Sequence, residues 1–218
     1  MKLKHLLFEY GLNTIVGDLL RSIISFIKKT KIDYDKSKKN KYSRKFNLFG
    51  TDPILFSAEV RVVRMNDLSR SNLYVKNLED GYSISATSFP EEDEFILEIH
   101  LDPTKEPSSY TKIAGWIKDH LRHELEHIDQ VQIQGKKING PQKGYRYLIS
   151  KVELPAMVKG MYSKAKYEKK YLDDVFNEYL DYVMQRGDIK SEKEKQLVFN
   201  VWITFAKKNL PNAKFRTT

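Results

Sequence analysis

The feature that most constrains this chain is a change of hydrophobic period. From residue 54, Ile54, Phe56, Ala58, Val60 and Val62 alternate with other residues, the period-two signature of a strand. GYSISATSF at 81–89 predicts a second strand, opened by a turn at Glu79-Asp80-Gly81. Pro90 and an acidic turn at 91–94 separate it from a third, EFILEIHL at 94–101. The hairpin spacing of the last two predicts an antiparallel meander. On both sides of this region the apolar residues recur at helical spacing. Ile15, Leu19, Ile23 and Phe26, with Leu12 and Ile27, predict an amphipathic helix over 11–29, followed by a polar, basic connector at 33–45 (DYDKSKKNKYSRK). Beyond residue 101, a helix capped at Ser108-Ser109 is expected to run to about Gln132. A glycine-containing loop covers 134–144, and helices follow at 145–168, 171–185 and 190–209. The expected fold is α+β: a small, antiparallel-containing sheet packed on a helix, with a helical C-terminal half. Residues 1–218 are expected to form one domain, divided into an N-terminal helix and connector (1–50), a sheet (51–104) and a helical part (105–218).

Composition removes several kinds of chemistry. The chain has no cysteine, which excludes disulfides, zinc fingers, iron–sulfur clusters and a thiol nucleophile. Its formal charge is +9, a balance that attracts anionic partners. The signs alternate along most segments, however, which is also how a lysine-rich soluble surface looks. Glu9, Asn13, Asp18 and Arg21 interrupt any apolar run near the start, so neither a signal peptide nor a membrane span is expected. The expected location is cytoplasmic or virion-associated. Abundant Lys, Asn, Ile and Tyr suggest an AT-rich genome and a phage or similar source.

One motif carries chemistry. Residues 121–130 read LRHELEHIDQ. His123 and His127 are four apart, so on a helix they share a face and both can reach one zinc ion. Glu124 then lies beside the position where water binds, placed to act as general base. Ile113, Ile117, Leu121, Leu125 and Ile128 form the apolar stripe of this helix, and the motif lies off its centre. His120 shares the histidine face but is about 10 Å along the axis from His127, too far to converge on the same ion. It is read either as a cleft residue behind the ligands or as a packing histidine.

The other histidines, His5 and His100, precede the motif, so a later histidine ligand is impossible. A downstream carboxylate is therefore expected as third ligand. Glu153, Glu168, Asp173, Asp174 and Glu178 are the candidates; Glu153 is preferred and Glu178 comes next. Pro155 suits a first helical turn. Ala156 and Gly160 fall near the Glu153 face, where small residues would let two helices approach closely.

His123-Glu124-Leu125-Glu126-His127 followed by Glu153 resembles the gluzincin pattern of metallopeptidases, and the Glu-Leu-Pro-Ala stretch is similar to small phage- and virus-encoded metallopeptidase-like proteins. The resemblance covers roughly 94–168. It implies a zincin fold, Zn²⁺ as cofactor, and a peptide substrate pairing with an edge strand above the helix, for which 94–101 is the expected strand. Tyr145, Tyr147 and Tyr162 are available for oxyanion stabilisation, and the sequence does not choose among them. The expected activity is zinc-dependent peptide hydrolysis, more as an endopeptidase than an exopeptidase. The alternative is a basic, nucleic-acid-associated protein with a non-catalytic zinc site, motivated by Lys38, Lys39, Lys41, Arg44 and Lys45. A zinc hydrolase of non-peptide amides is a third option.

Overall fold

The computed structural model of the chain describes residues 3–49, 54–73, 75–105, 109–132, 135 and 143–216. Its elements run α1 (Leu3–Ser37), β1 (Lys41–Phe49), β2 (Ile54–Arg64), β3 (Val75–Asn77), β4 (Tyr82–Phe89), β5 (Glu94–Leu101), α2 (Ser109–Gln132), α3 (Tyr145–Leu148), α4 (Glu153–Glu168), α5 (Leu172–Gln185) and α6 (Glu192–Asn209). The fold is α+β, a mixed sheet followed by a helical half. The expected cap at Ser108 and most of the 134–144 loop lie outside the described residues.

The sheet order is β1-β2-β5-β4-β3. The β4–β5 hairpin is antiparallel, as its spacing predicts, with Tyr82 opposite Leu101 and Phe89 opposite Glu94. The meander is not formed, because β5 pairs in parallel with β2. Phe56, Ala58, Val60 and Val62 bring a fully apolar inner face to that pairing and are buried with Phe95, Leu97, Ile99 and Leu101. A strand this apolar is more stable beside a central partner than at a solvated edge. The expectation that 94–101 is an edge strand fails for the same reason: β2 and β4 occupy both of its sides.

The basic connector is the second correction. Helix α1 continues to Ser37, its polar end supported by a Lys31–Asp35 pair at 2.7 Å, one turn apart. Strand β1 then begins at Lys41 and pairs antiparallel with β2. Its period-two signal is disguised because Arg44 occupies a position on the same side as Tyr42 and Phe46, with its guanidinium 5.1 Å from the Phe46 ring centre. Cations on a sheet edge also discourage pairing with other chains.

Helices α1 and α2 cover the inner face of the sheet and share its core. Ile113, Ile117, Leu121, Leu125 and Ile128 are all buried there, as the stripe predicts. Buried Arg64 ties β2 to α1, donating to the Ile27 carbonyl at 2.8 Å and to Thr30 at 2.9 Å. A second core joins α4, α5 and α6, and Trp116 of α2 packs against both cores. No helix among the described residues is long and apolar enough to cross a membrane.

Candidate metal centre

The expected helix at 145–168 is two helices, and the break positions Glu153. After α3 the chain turns, and the Ser150 hydroxyl accepts a hydrogen bond from the Glu153 backbone N–H at 3.1 Å. Glu153 thus opens α4, where the helix dipole favours its carboxylate. Pro155 sits in the first turn, where a missing N–H costs nothing. Ala156 and Gly160 are both buried on α4, and Gly160 lies against Asp119 and His123 of α2, as its spacing predicts.

This contact brings His123, His127 and Glu153 together. His123 Nε2 and His127 Nε2 are 3.0 Å apart, and Glu153 Oε2 is 3.5 Å from the first and 3.4 Å from the second. A tetrahedral zinc site with bonds of about 2.0–2.2 Å places its ligand atoms about 3.3–3.6 Å apart. The triangle therefore has close to the dimensions that one such ion requires. Glu153 Oε2 is buried without a hydrogen-bond partner, lying at ion-pair range of both rings. Glu124, His127 and Glu153 are buried and His123 is half-buried, so two carboxylates meet two imidazoles with little contact with water. A bound divalent cation would balance that charge, and the residues fit one.

The remaining candidate ligands are placed elsewhere. Glu178 pairs with Lys170 at 2.8 Å, and Glu168 pairs with Lys170 at 3.1 Å. Asp173 accepts the Arg216 backbone N–H at 3.1 Å, and Asp174 accepts from the Arg216 guanidinium at 2.9 Å. His120 lies behind the site in a smaller adjoining cavity, with its Nε2 buried and unpartnered. His100 faces Glu98 at 3.0 Å, and the side chain of His5 is outside the described residues.

Burial dominates the electrostatics. It holds the His123 pKa well below the ordinary histidine value, with His127, His120 and Arg122 adding to the effect. Burial also opposes charging of His127, but Glu153 and Glu124 outweigh it and raise that ring's pKa. The Glu124 pKa is raised by burial, against the opposing influence of His127 and of hydrogen bonds from Ser88. Asp119, one turn before His123, is pushed up to about 7, chiefly by burial.

A cleft of about 660 Å³ opens over His123, Glu124, His127 and Glu153, with Ala86, Thr87 and Ser88 on its opposite wall. Strand β3 pairs with β4 only over Tyr82–Ile84, so among the described residues no strand covers the β4 edge at Ser85–Phe89. The edge facing the motif is therefore β4 and not 94–101. Of the three tyrosines, Tyr147 lines the cleft, whereas Tyr145 and Tyr162 line separate grooves.

Sequence reasoning missed Ser88, although period two in β4 already places it on the inner side with Ala86. It also missed the buried ion cluster beside the site. There Glu126 accepts from Arg122 at 2.9 Å and from Lys159 of α4, clamping together the two helices that carry His123, His127 and Glu153. No family model, curated protein or solved structure matches the chain.

Proposed function

We propose that the chain is a zinc-dependent metallopeptidase, with the ion held by His123, His127 and Glu153. The observation that carries this reading is the largely buried triangle of two imidazole nitrogens and one carboxylate oxygen, 3.0–3.5 Å on its edges, beside Glu124. Bound there, zinc would polarise a carbonyl and lower the pKa of a coordinated water.

The other steps belong to the protein. Glu124, held by Ser88, takes the proton of the attacking water as the new C–O bond forms. It then delivers that proton to the leaving amine as the C–N bond breaks. An extended peptide adds to the uncovered β4 edge at Ser85–Phe89, which brings its backbone over the cleft. The Tyr147 hydroxyl donates to the carbonyl oxygen as negative charge develops on it. A mixed sheet with such an edge strand above the motif helix agrees with a zincin arrangement. An edge open at Ser85–Phe89 suits cleavage within a chain better than at its end.

Incubating purified protein with an unfolded protein substrate, and reading the fragments by mass spectrometry, tests the proposal. Cleavage is expected from the zinc-loaded protein and not from Glu124→Gln; equal cleavage by both would sink the mechanism.

The second reading, nucleic-acid binding, rests on Lys38, Lys39 and Arg44, exposed cations that lie over Tyr34, Tyr42 and Phe46. Lys45 is less available, being paired with Glu94 at 2.8 Å. Binding to single-stranded nucleic acid that weakens steeply with salt is its expected signature. No binding at low salt would remove it.

A further inference from the structure

Among the polar residues of α2 that the proposed reaction leaves unused, Gln130 is completely buried. It follows His127 by one helical turn. Its amide nitrogen donates to the Val152 carbonyl at 2.9 Å, which fixes which end of the amide points where. Val152 immediately precedes Glu153. The amide is also a hydrogen-bonding neighbour of the His127 ring. Two atoms there are buried without a partner of good geometry: Gln130 Oε1 and His127 Nδ1. One is an acceptor, and the other becomes a donor when it carries the ring's proton.

A neutral imidazole has one N–H. If Nε2 is to present a lone pair to a metal, Nδ1 must carry that proton, and a buried N–H needs an acceptor. We infer that Gln130 is the positioning residue of the metal centre. Its Oε1 accepts the His127 Nδ1 proton and fixes the ring's tautomer, while its amide N–H holds the start of α4 and so the placement of Glu153.

An amide is the chemical group this position needs. Methionine has similar volume but leaves both the His127 N–H and the Val152 carbonyl unpaired. Glutamate keeps an acceptor for His127 but sets a carboxylate against the Val152 carbonyl. The inference rests on the metal-centre reading, and the test separates the two.

Zinc affinity of the full chain is measured by competition with a chelator, and the metal-free proteins are melted in parallel. Gln130→Met is expected to lose about 10- to 100-fold in zinc affinity. Gln130→Glu is also expected to bind more weakly than the native protein. A residue that only filled space would be replaced by methionine without loss, so native affinity in Gln130→Met would overturn the inference while leaving the metal centre standing. Failure of the native protein to bind zinc is a different result and would overturn the metal centre itself. A second readout does not depend on how the variants fold. In the zinc-loaded native protein, NMR of the ring nitrogens should show His127 protonated at Nδ1 and slow to exchange. Metal on Nδ1 would contradict the assignment.

Discussion

Gly160 of α4 packs directly on His123 of α2, beside the Asp119 carboxylate: a Cβ added at Gly160 would meet Asp119 Oδ1 first, and would lie 3.0 Å from the Asp119 carbonyl oxygen and 3.4 Å from His123 Cβ. None of the three is the free end of a long side chain, and Asp119 is itself buried, so all would resist displacement. The glycine allows α2 and α4 to approach closely enough for His123, His127 and Glu153 to meet. Gly160→Ala is expected to destabilise the fold by about 1–3 kcal/mol through overpacking. It should also weaken zinc binding, because the helices that carry His123 and Glu153 are pushed apart. Urea unfolding and zinc titration of the same variant check both parts, and unchanged affinity would mean that the contact does not set the site's geometry.

Glu124→Gln separates binding from chemistry. The substitution preserves shape but removes the proton acceptor. Zinc content should stay at the native level, while hydrolysis falls by about 10²- to 10⁴-fold. Loss of the metal in this variant would instead make Glu124 a ligand or a structural support.

Tyr147→Phe should lower kcat with zinc still bound and with little change in KM, because the hydroxyl acts only on charge that develops during the reaction. Tyr145→Phe is the matched control, since Tyr145 lines a groove with Leu197 and Asn200 away from the cleft. Equal effects from the two would remove Tyr147 from the mechanism.

Asp119 should make stability depend on pH. Burial raises its pKa from 3.8 to about 7, so between these values the folded state holds a proton that the unfolded chain has released. This group's contribution is fully present below about pH 4 and is lost as pH rises through 7. Asp119→Asn should therefore be more stable than the native protein at pH 8, on the order of 2–4 kcal/mol, with the difference shrinking toward pH 4. Thermal melts of both proteins in chelator, at pH 4, 6 and 8, measure it. A difference that does not vary with pH would mean that Asp119 is charged throughout.

Local periodicity carried much of this architecture. Alternation at 54–62, 81–89 and 94–101 marked β2, β4 and β5, and the apolar stripe marked α2 together with the histidine face. Gly160 marked the surface on which α4 approaches α2. Strand order was not legible, because parallel pairing of β2 with β5 depends on what covers each face and not on either strand's own pattern. Strand β1 escaped notice because Arg44 interrupts its alternation by lying against Phe46. At the site, His123, Glu124 and His127 could be read from spacing alone, whereas Glu153 had to be chosen from five carboxylates. Nothing local signals the partners of Gln130 and Ser88. Each is met across a tertiary contact, with Gln130 reaching the Val152 carbonyl at 2.9 Å and Ser88 reaching Glu124.

The most direct test of the account is metal content by mass spectrometry on the purified protein, beside His123→Ala and Glu153→Ala. About one zinc per chain, lost in both variants, is the predicted result. Zinc retained after removal of Glu153 would contradict the three-ligand centre. Iron in place of zinc would keep the ligands but overturn the hydrolytic reading, since two histidines and one carboxylate also suit iron. A native protein that takes up neither metal, even when supplied, would contradict the central claim outright.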